Sequence, residues 1–197
     1  MKKIREKQVL PNILMLLTMI SSFWGLGWFF VVGRFPNISY FSNQAVLFVF
    51  VTVIAYYMSF DERKWFKYLA SITLMNIMMT GIIFHLLLAN EFPPDFHSHL
   101  LHTVVPILYI LFYFISISNP LETKKFYVIL YYPLVYFLIF LLSGPLTGFY
   151  PYDFMNVSEH GLGPVLKVTL LFMTPAITVV ALVSLYLKNL FESKIKG

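Results

Sequence analysis

Six runs of about twenty apolar residues dominate this chain, and a soluble domain of this size has no core large enough to hide them. They cover Ile13–Val32, Phe41–Phe60, Tyr68–Leu88, His99–Ile117, Phe126–Ser143 and Val165–Leu187. A helix needs about 20 such residues to cross about 30 Å of hydrocarbon. Inside lipid every backbone N–H and C=O must be paired within the protein, so only helices and closed barrels can cross. Barrel strands alternate with a period of two, whereas these runs are continuous. The reading is an all-α, polytopic membrane protein, a single six-helix domain over residues 1–197. Charge agrees: 12% of residues are charged, about half the fraction in soluble domains. Cysteine is absent, which removes disulfide and thiolate chemistry. The first run follows Lys2, Lys3, Arg5 and Lys7, as a signal peptide's would. It is too long for that role and has no small-residue cleavage site after it, so it reads as a retained span.

Lys and Arg set the orientation. Twelve of the fourteen fall in the N-terminal tail, the 61–67 and 118–125 loops and the C-terminal tail. Only Arg34 and Lys167 fall on the other side. Both termini are therefore expected in the cytoplasm, with a bacterial plasma membrane as the setting. All five histidines, His85, His97, His99, His102 and His160, then lie toward the outer face.

That face carries the chemistry. Ser42 stands in the first turn of the second span, capped by Asn37 or Ser39, where unpaired N–H groups can meet an oxyanion. Asn43 and Gln44 follow it as supporting polar groups. Alternatively, Ser42 merely bonds back to a carbonyl. In the fourth span His99 and His102 are three apart and share a face. They sit at the positive end of the helix dipole, which favours the uncharged ring that a general base must present. Pro106 has no N–H, so the His102 carbonyl loses its helical partner. His85 needs a buried partner in the third span, and Asn76 is expected to bond a neighbouring helix. Pro133 and Pro175 are expected to bend the fifth and sixth spans. His97, His99 and His102, with Asp95, form a second reading, a zinc-type site. Asn37-Ile38-Ser39 and Asn156-Val157-Ser158 match the glycosylation sequon, which has no meaning in a bacterium.

Three patches resemble the androgen-induced family of membrane hydrolases, to which the androgen-dependent regulator of tissue-factor-pathway inhibitor belongs, in a bacterial branch. They are Tyr40-Phe41-Ser42, then His99-Leu100-Leu101-His102-Thr103 with Pro106, then Phe149-Tyr150-Pro151-Tyr152-Asp153-Phe154. With the six-span layout, the resemblance covers most of the chain. It implies hydrolysis of fatty acid esters of hydroxy fatty acids by a threonine nucleophile and a histidine. By position these are Ser42 and His102. Serine replaces threonine here, which keeps the hydroxyl and leaves the substrate range open.

The expectation is an intramembrane lipid-ester hydrolase with a Ser42/His102 pair. His99, His85 or Asp153 would orient the base, and Lys167, Tyr152 and Asp153 would meet the substrate. The substrate comes from the bilayer, and neither a cofactor nor nucleic acid is expected. The alternatives are a metal-binding or transport protein built on His97, His99 and His102, and a non-catalytic membrane partner subunit.

Overall fold

The computed structural model describes residues 9–31, 38–88 and 95–196. It is helical throughout, with no strand among the described residues. The elements are α1 (Val9–Val31), α2 (Phe41–Tyr57), α3 (Phe66–Ile83), α4 (Phe96–His99), α5 (Val105–Ser116), α6 (Tyr127–Thr147), α7 (Val157–His160), α8 (Leu162–Lys167) and α9 (Thr174–Lys196). Wider π-helical turns at Phe84–Leu88, Leu100–Val104 and Val168–Met173 extend α3, join α4 to α5 and join α8 to α9. Five stretches are long and apolar enough to cross a membrane: Val9–Gly27, Phe66–Leu86, Phe96–Ser116, Thr123–Thr147 and Leu162–Lys194. The chain is thus an all-α multi-pass membrane protein.

The second apolar run is shorter than its hydropathy implies. Its helix stops at Tyr57, Ser59 turns left-handed at φ 63°, and Phe60–Glu62 form a 3₁₀ turn. The cause is local, since Asp61, Glu62, Arg63 and Lys64 follow at once. At 17 residues α2 is about 26 Å long. It is heavily enclosed: Ala45, Val46, Val49 and Val53 are fully buried.

Helix α3 is the shared wall of two cores. Leu74 and Ile77 pack with α1, α2 and α5. Met75 and Met79, on its other side, pack with α6, α9 and the loop before α7. Apolar faces give no preference between lipid and protein, so polar bonds between helices fix the pairing. Thr52 and Thr73 hydroxyls lie 2.8 Å apart, Ser71 and Tyr113 hydroxyls 2.9 Å, and the Tyr109 hydroxyl donates to the Ala70 carbonyl at 2.9 Å. These bonds tie α2, α3 and α5.

Asn76 does not add to that set. Its side chain is fully buried, and its amide has no hydrogen-bond partner among the described residues. Its backbone carbonyl also accepts from the Thr80 hydroxyl at 3.0 Å. The expected bond to a neighbouring helix is not formed among the described residues. An unmet buried amide costs about 1–3 kcal/mol. Asn76→Leu should therefore raise the thermal unfolding midpoint in detergent. A lowered midpoint would show that the amide has a stabilising partner.

Candidate active site

The start of α2 is assembled from distant parts of the chain. Tyr40 occupies the N-cap position and makes no side-chain cap. The Ser39 carbonyl accepts from the Tyr136 hydroxyl at 2.7 Å. Asn37 and Arg34 lie outside the described residues. The Gln44 amide reaches back to the Ile38 carbonyl at 2.6 Å, and its oxygen accepts from the Tyr132 hydroxyl. Two tyrosines of α6 thus latch the chain as it enters α2. Tyr152, 110 residues downstream, lies beside this turn, its hydroxyl close to the Ser42 side chain and to the backbone of Phe41 and Ser42. Burial pushes the Tyr152 phenol above its ordinary range, so at neutral pH it stays protonated and able to donate.

Tyr152 is held by its own loop. Its ring stacks on Phe154, centroids 5.6 Å apart, and meets Tyr40 edge-on at 6.0 Å. Gly148, at φ 70°, closes α6 in the left-handed conformation that glycine adopts at little cost. Tyr150 lies flush against Gly144, where any Cβ would collide with its ring, and its hydroxyl is 3.1 Å from that of Ser158.

His102 lies in the π-helical turn between α4 and α5. Its Nδ1 is 2.9 Å from the Ser98 carbonyl. A carbonyl can only accept, so Nδ1 carries the proton and Nε2 presents its lone pair. The ring lies flat on Phe84, centroids 4.0 Å apart and planes 8° from parallel. The carbonyl that Pro106 frees faces α3 at Gly81, where a Cβ would stand 3.2 Å from it. The small residue lets the two backbones approach. Upstream, the Asp95 carboxylate caps α4 by accepting from the Ser98 N–H at 2.6 Å.

Ser42, His102 and Tyr152 line one cavity of about 710 Å³, partly open, whose other walls come from α3, α6, the loop after α6 and α9. Each of the three π-helical turns contributes to it: Phe84 and Leu88, His102, and Thr169 and Met173. Such turns occur often at functional sites because they break the regular bonding of a helix. The cavity's surface is mostly hydrocarbon. Among its polar groups, the Thr169 hydroxyl has no partner among the described residues although the residue is 5% exposed.

Protein families, curated proteins and solved structures offer no match to this chain. The site therefore rests on its own geometry.

The other candidate residues take different places. His85 bonds the Thr103 hydroxyl through Nε2 at 2.9 Å, and His99 is exposed. Asp153 is exposed and pairs with His160 at 3.0 Å. None of these three holds the His102 ring. That position belongs to the Ser98 carbonyl, four residues earlier on the same helical stretch. Lys167 is exposed and does not line the cavity, and Asn43 is buried. Among the described residues, the ligating atoms that gather within 4.8 Å are those of Asp153, Glu159 and His160, all exposed. His97, His99 and His102 form no such set. Residues 97 and 99 are about 200° apart around a helix, which points them away from each other.

Ser98, Phe84, Gly81 and Thr169 were not legible as site residues. A backbone carbonyl, a phenylalanine beside a histidine and a threonine in an apolar run carry no sequence signal.

The geometry makes a prediction for Tyr152. Its hydroxyl is the donor beside Ser42, and removing one oxyanion donor typically costs roughly 10²–10³ in kcat. Tyr152→Phe should show a loss of that order in ester turnover with KM little changed. An unchanged kcat would leave the hydroxyl no part in catalysis.

Proposed function

We propose that this chain is a six-span protein of a bacterial plasma membrane, both ends cytoplasmic, that hydrolyses lipid carboxylic esters with Ser42 as nucleophile and His102 as base. The reading is carried by one observation: Ser42 and a histidine whose free nitrogen is Nε2 border the same apolar cavity. The resemblance to the androgen-induced hydrolases adds the substrate class, acyl esters of hydroxylated fatty acids or similar lipids.

The steps follow from the groups present. Nε2 of His102 takes the proton from Ser42 as Oγ attacks the ester carbonyl carbon. The carbonyl electron pair moves onto oxygen, where the Tyr152 hydroxyl and the first N–H groups of α2 meet the charge. Collapse of the tetrahedral species breaks the bond to the alcohol, which leaves with the proton held on His102. Water, deprotonated by His102, then attacks the acyl-Ser42 ester and releases the fatty acid. Throughout, the Ser98 carbonyl holds Nδ1–H and so preserves the tautomer. It fills the place that a carboxylate takes in a triad, with less stabilisation of the imidazolium because it carries no full charge.

A fluorophosphonate probe tests the reading on purified protein. Labelling of the wild type that disappears in Ser42→Ala supports it. Labelling that persists in both Ser42→Ala and His102→Ala removes it.

A further inference from the structure

We infer that the cavity opens sideways to the lipid between α6 and α9, and that this seam holds the far end of a bilayer lipid's acyl chain. The inference deepens the proposed hydrolase site, since the chain would belong to its ester substrate. Pro133, Leu134, Thr174 and Ile177 line both the main cavity and a smaller hollow of about 180 Å³ that adds Leu130. The two spaces therefore adjoin at the seam. Leu134 is 40% exposed on the outer surface of the bundle, so the seam reaches the face that lipid covers.

Both helices are irregular at this level. Pro133 lies inside α6, where it removes an N–H and bends the helix. Thr174 and Pro175 begin α9 directly after a π-helical turn. Two helices so deformed cannot interdigitate along their whole length, and a gap at the deformation is the consequence.

The lining says what fits the gap. Ser42, His102 and Tyr152 stand at one end of the space. At the seam the side chains are Leu130, Pro133, Leu134 and Ile177, and the Thr174 hydroxyl is spent on the Thr169 carbonyl at 2.9 Å. Nothing there rewards a polar ligand, and a headgroup would lose its hydration without replacement. A hydrocarbon chain loses nothing. Depth agrees as well. Thr174 and Ile177 lie 9 and 12 residues past Val165, which is about 14–18 Å along a helix and near the middle of a core about 30 Å thick. The polar end thus meets an outer-leaflet ester, and its tail leaves at the bilayer centre. A space open at that end sets no upper limit on chain length.

The test needs no turnover and uses the full chain carrying Ser42→Ala, in phosphatidylcholine vesicles. A palmitoyl ester bearing a diazirine on its terminal carbon is photolysed in place, and adducts are mapped by peptide mass spectrometry. Adducts concentrated on the peptides holding Leu130, Leu134, Thr174 and Ile177 are expected. Adducts spread evenly over all lipid-facing helices overturn the inference, whatever the fate of the hydrolase reading. Leu134→Trp should plug the seam. It should abolish palmitoyl-probe labelling of these four positions' peptides while leaving an octanoyl probe unaffected. Equal loss for both probes overturns the inference too.

Discussion

Ser42→Ala is expected to lower ester turnover by roughly 10³–10⁶-fold, and adding His102→Gln to it should cost almost nothing more. Alone, His102→Gln should lower kcat by roughly 10²–10⁴, the range for loss of a positioned general base. The two residues act on one proton, so once either is gone the other has no transition-state role. If the losses simply multiply, the two side chains work independently and the pair is not a catalytic unit. Ser42→Thr is the control for structure, because it keeps a hydroxyl at this position of the cavity wall. It should retain a measurable rate and probe labelling. The measurement is fatty acid release from a long-chain ester by purified protein in vesicles. Loss of rate in Ser42→Ala with an unchanged unfolding midpoint separates chemistry from folding.

Lys188→Ala is expected to destabilise the bundle by about 3–5 kcal/mol, the range for breaking a buried pair from one side. The Lys188 side chain is completely enclosed, with Nζ donating to the Phe114 carbonyl at 2.8 Å and paired with Glu192. Phe114 lies in the last turn of α5, whose carbonyls have no helical partner and carry the negative end of the dipole. The ammonium also faces the rings of Tyr113 at 5.9 Å and Phe191 at 5.5 Å. Beside it Asn189 donates to the Leu121 carbonyl at 2.9 Å. One turn of α9 thus fastens the end of α5 and the link into α6. Removing the lysine takes the ammonium away from the Glu192 carboxylate and opens the Phe114 carbonyl. The double variant Lys188→Met with Glu192→Leu should recover most of the loss, because no unpaired charge remains. Thermal unfolding in detergent reads both. A Lys188→Ala midpoint equal to that of the wild type would mean the ammonium contributes nothing there.

Lys188 also shows how far a sequence reading reaches. Counted as one of twelve basic residues on the expected cytoplasmic side, it looks like a topology signal at the membrane surface. The same residue is a buried tether once α5 ends against it. Composition reports a residue's charge but not its neighbours. Asn76 shows the converse. Its polarity inside an apolar run implied a partner, and the packed bundle supplies none among the described residues. The helices follow the apolar runs more closely, because hydropathy is a local property. Only the charged residues after Tyr57 shortened a run noticeably.

For the site, the two residues nominated from local context, Ser42 at a helix start and His102 four residues before a proline, border one cavity. Tyr152 borders it too, although it stands 110 residues from Ser42 in the chain. The third-member candidates, His99, His85 and Asp153, all lie elsewhere, and a backbone carbonyl takes that place. No side-chain pattern can announce a carbonyl.

The chain's hydropathy alone decided that it is helical and lives in lipid, because about twenty apolar residues in a row admit few other fates. Its local residue order decided where a serine and a histidine stand at helix ends. Which helix faces meet was left to the tertiary structure. In a membrane the lipid-facing and protein-facing sides are equally apolar, so periodicity cannot distinguish them. Only the packed bundle could bring Tyr152 to Ser42, lay His102 on Phe84, enclose Lys188 and leave a seam between α6 and α9.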